Sequence, residues 1–155
     1  MNSQFPFSIV ALILLAATSS SAAGQVKLLS YERVGSFSSE ERCQEAIQLL
    51  SELSTPEVAA SGSCERVLPQ IYVARLTFAV QVPSNYTCGT ILYWLNPRAA
   101  FNSRICQNDM LLLSDFNLVR NREVMISASC ERFSDGRTEL TSRIALTSEE
   151  LCRVP

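Results

Sequence analysis

The chain contains no histidine. That excludes Ser-His-Asp and Cys-His catalysis, imidazole-ligated metals and a histidine pH switch. Lysine is almost missing as well. Lys27 is the only one, twelve of the 13 basic residues are arginine, and Lys27 reads as a solvated side chain near the mature N-terminus. Glycine is sparse, with five in all. Neither G-x-x-x-x-G-K-[S/T] nor G-x-G-x-x-G occurs, so no loop of the usual kind can cradle a phosphate. No two cysteines have the C-x-x-C spacing of a zinc site. The sequence implies no cofactor, no metal and no identifiable catalytic residue.

Residues 1–23 lack Asp, Glu, Lys and Arg. Ile9 to Ala17 is an unbroken apolar run, followed by small residues from Thr18 to Gly24. The run is too short to cross about 30 Å of hydrocarbon, which takes about 20 residues. Ser21 and Ala23 satisfy the small-x-small rule of signal peptidase, so 1–23 reads as a signal peptide cut after Ala23. An n-region without basic residues points to a eukaryotic source. The expected location is extracellular, or periplasmic if the source is bacterial. The remaining chain, 24–155, suits one domain and holds no second apolar stretch of membrane-spanning length. All 13 basic and 15 acidic residues lie in it with their signs interspersed. A net charge of −2 gives no field for nucleic acid or an anionic membrane.

What the chain does have is six cysteines, all after residue 23: Cys43, Cys64, Cys88, Cys106, Cys130 and Cys152. An even count in an exported chain reads as three disulfides. Their positions also disclose a repeat. Cys43 and Cys106 are 63 residues apart, Cys64 and Cys130 are 66 apart, and Cys88 and Cys152 are 64 apart. Ser61-Gly62-Ser63-Cys64-Glu65-Arg66 aligns with Ser127-Ala128-Ser129-Cys130-Glu131-Arg132, identical at five of six positions. The single domain 24–155 thus reads as two internal repeats, about 25–88 and 89–152. Each holds an odd number of cysteines, so complete pairing forces a bridge between them. The simplest symmetric scheme is Cys43–Cys64, Cys106–Cys130 and Cys88–Cys152.

The local patterns repeat with the cysteines. Gln25 to Phe37 reads as a strand with Gly35 near its end. Ser38 and Glu41 have capping-box spacing. Cys43, Ala46, Ile47, Leu50 and Leu53 then form one helical face, and Pro56 ends it. Strands follow at Val58–Val67 and Ile71–Val82, the second alternating apolar and polar. In the second repeat, Thr90–Leu95 is the first strand, stopped by Asn96-Pro97. Asn102 or Ser103 caps a helix whose stripe is Cys106, Met110, Leu113 and Phe116. Strands at Glu123–Phe133 and Arg137–Thr147 flank the hairpin signal Asp135-Gly136. The expected fold is α+β: two tandem β-α-β-β units forming antiparallel sheet, with both helices packed on one face and disulfides stapling the whole.

Carboxylate chemistry passes the filter of absences. Glu65 and Glu131 occupy equivalent places after a cysteine, and Asp109 stands on a helix face where the first repeat has Ala46. An acid raised in pKa by burial could work in a hydrolase, but the commoner fate is an ion pair with neighbouring arginine on a solvated strand face for the two glutamates, and a stripe edge that reaches water for Asp109. Tyr86, Tyr93 and Trp94 are the best binding candidates, since Tyr and Trp combine large area with a polar tip. Tyr93 and Trp94 must face opposite sides of a strand. The ordinary expectation puts Trp94 in the core and Tyr93 partly exposed. Asn85-Tyr86-Thr87 is the only N-glycosylation sequon. The leading expectation is a secreted, disulfide-bonded, non-enzymatic binding, inhibitor or matrix-type protein with an extracellular protein or glycan partner. The alternatives are a small carboxylate-dependent hydrolase and a secreted toxin or effector.

Overall fold

The computed structural model describes residues 24–86, 88–118 and 122–152. Residues 1–23, where the export signal is expected, and Thr87 of the sequon lie outside the described residues. The elements run β1 (Gln25–Phe37), α1 (Glu40–Glu52), β2 (Val58–Leu68), β3 (Ile71–Val82), β4 (Thr90–Trp94), β5 (Arg98–Ala100), α2 (Ser103–Ser114), β6 (Val124–Arg132) and β7 (Thr138–Thr147). Short 3-10 turns cover Asp115–Asn117 and Glu149–Cys152.

The strands make two antiparallel sheets, and the fold is α+β. The first sheet has the order β1-β3-β2. In the second, β7 is central. Because β6 pairs along nearly all of β7, from Thr138 to Leu146, β4 and β5 must share its other side. Counted as one interrupted strand, β4 and β5 give the second sheet the same order as the first. The break is physical. Pro97 has no N–H to donate, and the Asn96 N–H turns away from the ladder to the Leu53 carbonyl at 2.9 Å. The strand resumes at Arg98, where the Asn96-Pro97 stop signal predicts none. β1 bends at the corresponding point through two register shifts, with Arg33 at φ 54° and Gly35 at φ 74°. A Cβ on Gly35 would lie 2.7 Å from the Asp115 carbonyl oxygen and 2.8 Å from the Phe116 Cα. Only glycine fits that approach.

Helix starts differ slightly from the sequence pattern. The N-cap of α1 is Ser39, not Ser38: its Oγ accepts the Arg42 N–H at 3.1 Å. Glu41 therefore falls one place short of the reciprocal position, and no capping box with Ser38 forms. β1 stays extended through Phe37, whose ring is buried edge-on against Phe116 with centroids 5.3 Å apart. Glu40 and Glu41 still occupy the first turn, where the helix dipole favours them. Asn102 caps α2, accepting the Ile105 N–H at 3.0 Å.

Both helices turn their apolar stripes to the inner faces of the sheets, and the result is one continuous core. Cys43, Ala46, Leu49 and Leu50 of α1 share this cluster with Phe78 and Val80, as Cys106 and Leu113 of α2 do with Ile144 and Leu146. Leu49 is buried and Ile47 only partly, so the stripe on α1 is rotated slightly from the pattern of the sequence. Three disulfides complete the frame. Cys43–Cys64 ties α1 to β2, Cys106–Cys130 ties α2 to β6, and Cys88–Cys152 joins chain positions 64 residues apart. Lys27 is not simply solvated: its ammonium donates to the Glu150 carbonyl at 3.1 Å, beside that third bridge. Ser142 occupies the inner face of β7 and, among the described residues, its buried hydroxyl has no hydrogen-bond partner.

Candidate functional site

Alternation along β4 decides which aromatic reaches solvent. Ile91 and Tyr93 point inward; Leu92 and Trp94 point outward. The expected assignment is reversed. Trp94 is 70% exposed on the open face of the second sheet, and Tyr93 is buried. The Tyr93 hydroxyl crosses to the first sheet and donates to the Gln81 carbonyl at 2.9 Å. Burial pushes its pKa up to about 12. Tyr86 packs partly against the core and donates to the Gly89 carbonyl at 2.6 Å, and burial raises its pKa too. Of the three aromatics only Trp94 is offered outward. Asn85 is exposed in the β3–β4 connection.

The rows of the second sheet place Trp94 among usable neighbours. Leu92 and Met125 flank Ala145 across β7, and both are more than half exposed. The next row is Trp94, Arg143 and Ser127. The Arg143 guanidinium lies 6.0 Å from the indole centroid, within cation–π range. A recess of about 320 Å³ opens beside them, lined by Trp94, Ser127, Ser129, Glu131, Thr141 and Arg143. Ser129 and Thr141 share a hydroxyl contact at 2.9 Å. The face therefore combines an exposed ring, a stacked cation and several hydroxyls. It can bury apolar area and hydrogen-bond a ligand at once.

The acids singled out in the sequence take separate places. Glu65 lies on the first sheet, 3.0 Å from Arg75, with both side chains well exposed. Glu131 lies on the second sheet, opposite Glu139 in the β6–β7 register. Asp109 shares Arg98 with Glu52, the nitrogen–oxygen distances being 3.5 and 2.6 Å. That cation, delivered by β5, explains how an acid sits on the α2 stripe.

A second concavity, of about 790 Å³, lies between α1 and the edge strand β2. Cys64 lines it, and its bridge to Cys43 ties the two walls together. On the helix wall Glu40, Gln44, Gln48 and Glu52 recur every fourth residue, which places them in one row. The Gln44 amide nitrogen donates to Glu40 and the Gln48 amide nitrogen to Glu52, each at 3.1 Å. The spacing is visible in the sequence, but four polar residues opposite an apolar stripe read there as an ordinary solvated face.

The chain matches no protein-family model, no curated protein and no solved structure.

Proposed function

We propose that this is a secreted, non-enzymatic binding protein, built from two copies of one β-α-β-β unit, that meets an extracellular partner through the open face of its second sheet. The observation that carries the reading is Trp94, 70% exposed between Arg143 and the Leu92–Met125 row. Large exposed aromatics with apolar neighbours are characteristic of contact surfaces. The three disulfides fit a secreted, disulfide-rich protein. No helix among the described residues is long and apolar enough to cross a membrane. The shared strand order of the two sheets supports the duplication, as does the matching placement of the two helix–strand bridges. Export through the signal at 1–23 and a glycan on Asn85 belong to the same reading.

The test is capture from extracellular fluid on the oxidised mature protein, with the Trp94→Ala variant and the reduced, alkylated chain in parallel. A partner held by the oxidised wild type and lost from both controls supports the reading. Because Trp94 is the only tryptophan, the same partner must shift its emission. A partner retained equally by Trp94→Ala would move the site elsewhere on the molecule.

A further inference from the structure

β2 is an edge strand of the first sheet, away from the Trp94 face. The Gln81 N–H donates to the Glu57 carbonyl at 2.8 Å, just before the Val58–Val80 pair. Antiparallel alternation then turns the backbone groups of Ala59, Ser61 and Ser63 towards β3, and those of Ala60, Gly62 and Cys64 to the outer edge. The first of these is closed: Ser54 Oγ accepts the Ala60 N–H at 2.9 Å. The other sheet closes the matching place on β6 more fully, where Asn117 bonds both backbone groups of Ile126, at 2.6 and 2.9 Å. Beyond Ala60, no hydrogen bond from the described residues reaches the outer groups of Gly62 and Cys64. Edge strands are normally guarded by lysine, proline or a bulge. From Val58 to Arg66 the register of β2 is unbroken, and the stretch contains neither lysine nor proline. Its side chains at the opening are also small: Ser61, Gly62 and Ser63.

The helix wall of this groove specifies what can enter. Gln44 and Gln48 spend amide N–H groups on Glu40 and Glu52. The row Glu40–Gln44–Gln48–Glu52 therefore offers the Glu40 carboxylate and two amide oxygens, with Glu52 at its far end already holding Arg98 at 2.6 Å, and no cation is among the described residues that line the groove. Successive members of the row are about 6 Å apart along a helix. Alternate residues of a strand are about 6.6 Å apart. An extended chain lying along α1 can thus set a long donor side chain opposite each acceptor in turn. A second copy of this protein fits less well, because antiparallel β2–β2 pairing would bring Glu40 towards Glu52 of its neighbour. The geometry points to an extended basic peptide that adds as a strand to β2 at Gly62 and Cys64, with alternate lysine or arginine side chains on the α1 acceptor row. The corresponding positions of α2 are Ser103, Gln107, Leu111 and Asp115, so the second unit lacks the row.

The probe is a capped octapeptide of alternating lysine and valine, with a glutamate–valine peptide as control. Binding is followed by anisotropy and by amide hydrogen exchange on the oxidised protein. The lysine peptide should bind with a strong salt dependence and slow exchange at Gly62 and Cys64, and the glutamate peptide should not. Glu40→Gln with Glu52→Gln keeps both side chains' size and removes both negative charges, and should weaken binding by about ten-fold. Glu149→Gln, far along the chain, should leave it unchanged. Absence of binding, equal binding of both peptides, or protection that misses Gly62 and Cys64 would overturn the inference. So would a concentration-dependent dimer protecting the same two amides, which would make a second copy the occupant. The Trp94 face can fail its own test without affecting any of these readouts.

Discussion

Tyr93 donates its hydroxyl to the Gln81 carbonyl, 2.9 Å away on the last strand of the other sheet. Tyr31 makes the reciprocal crossing, to the Thr147 carbonyl at 3.2 Å. Each sheet thus sends one phenol to the C-terminal end of its partner's central strand. These bonds, with the Phe37–Phe116 contact and the Arg42–Asp115 ion pair, hold the two sheets in one body. Removing a hydroxyl should loosen that seam. Tyr93→Phe leaves the ring in the core and the Gln81 carbonyl without its donor, and should cost about 1–2 kcal/mol in urea unfolding. A cost near zero would mean that water replaces the phenol there.

The same two phenols set an alkaline limit. Burial pushes Tyr93 from 10.0 up to about 12, and Tyr31 is raised too, by burial first and then by Glu123 and Glu150. Below pH 10 both groups are protonated in the folded and unfolded chain, and their contribution is fully present. As the pH rises past 10 the unfolded chain releases protons that the folded chain still holds, so stability falls from there through pH 12. Tyrosinate absorbance followed with and without urea should show late titration only in the folded protein.

The bridges should rank by the length of chain they close. Cys88–Cys152 spans 64 residues, against 21 for Cys43–Cys64 and 24 for Cys106–Cys130. Replacing Cys88 and Cys152 by serine together should cost about 4 kcal/mol, against about 3 for either shorter loop. Guanidinium unfolding of the three double variants measures the order.

Two glycines with positive φ should respond differently to alanine. Gly136 sits at φ 86° in a turn with open space around it, and Gly136→Ala should cost about 1 kcal/mol of backbone strain. Gly35 carries the same strain and backbone atoms under 3 Å from a new Cβ. Gly35→Ala should cost at least about 3 kcal/mol. Thermal unfolding of the pair tests the difference.

One substitution should help. The Ser142 hydroxyl is buried and, among the described residues, unpaired. Ser142→Ala removes a group that is desolvated without return, and should raise stability by up to about 1 kcal/mol. A loss instead would show that the hydroxyl has a partner, such as a bound water.

How much of this is legible without coordinates depends on whether a feature is local. Ile71–Val82 shows its own alternation, and β3 has those bounds. The stripe Cys43–Ala46–Leu50 shows its own period, and α1 buries it. Local signals fail where a distant group intervenes. Asn96-Pro97 ends a strand, yet β5 follows because Asn96 is anchored on Leu53 and Ser54 and the chain rejoins β7. Ser38 has capping-box spacing, yet the Ser39 hydroxyl takes the Arg42 N–H and Ser39 is the cap.

The site divides in the same way. By itself the sequence determined the apolar periods and the even set of cysteines, three before residue 89 and three after it, so that full pairing takes at least one bridge across that point. These follow from side-chain type and spacing, which are properties of the chain alone. It also required Tyr93 and Trp94 to face opposite ways, because strand geometry permits nothing else. Only the tertiary structure decided which of them went inside. The inward face of β4 brings the Tyr93 hydroxyl to the Gln81 carbonyl on a strand of the other sheet, and strand alternation then leaves the Trp94 ring on the open face. The open edge at Gly62 is likewise invisible in one dimension, since an edge exists only once the order of strands is set.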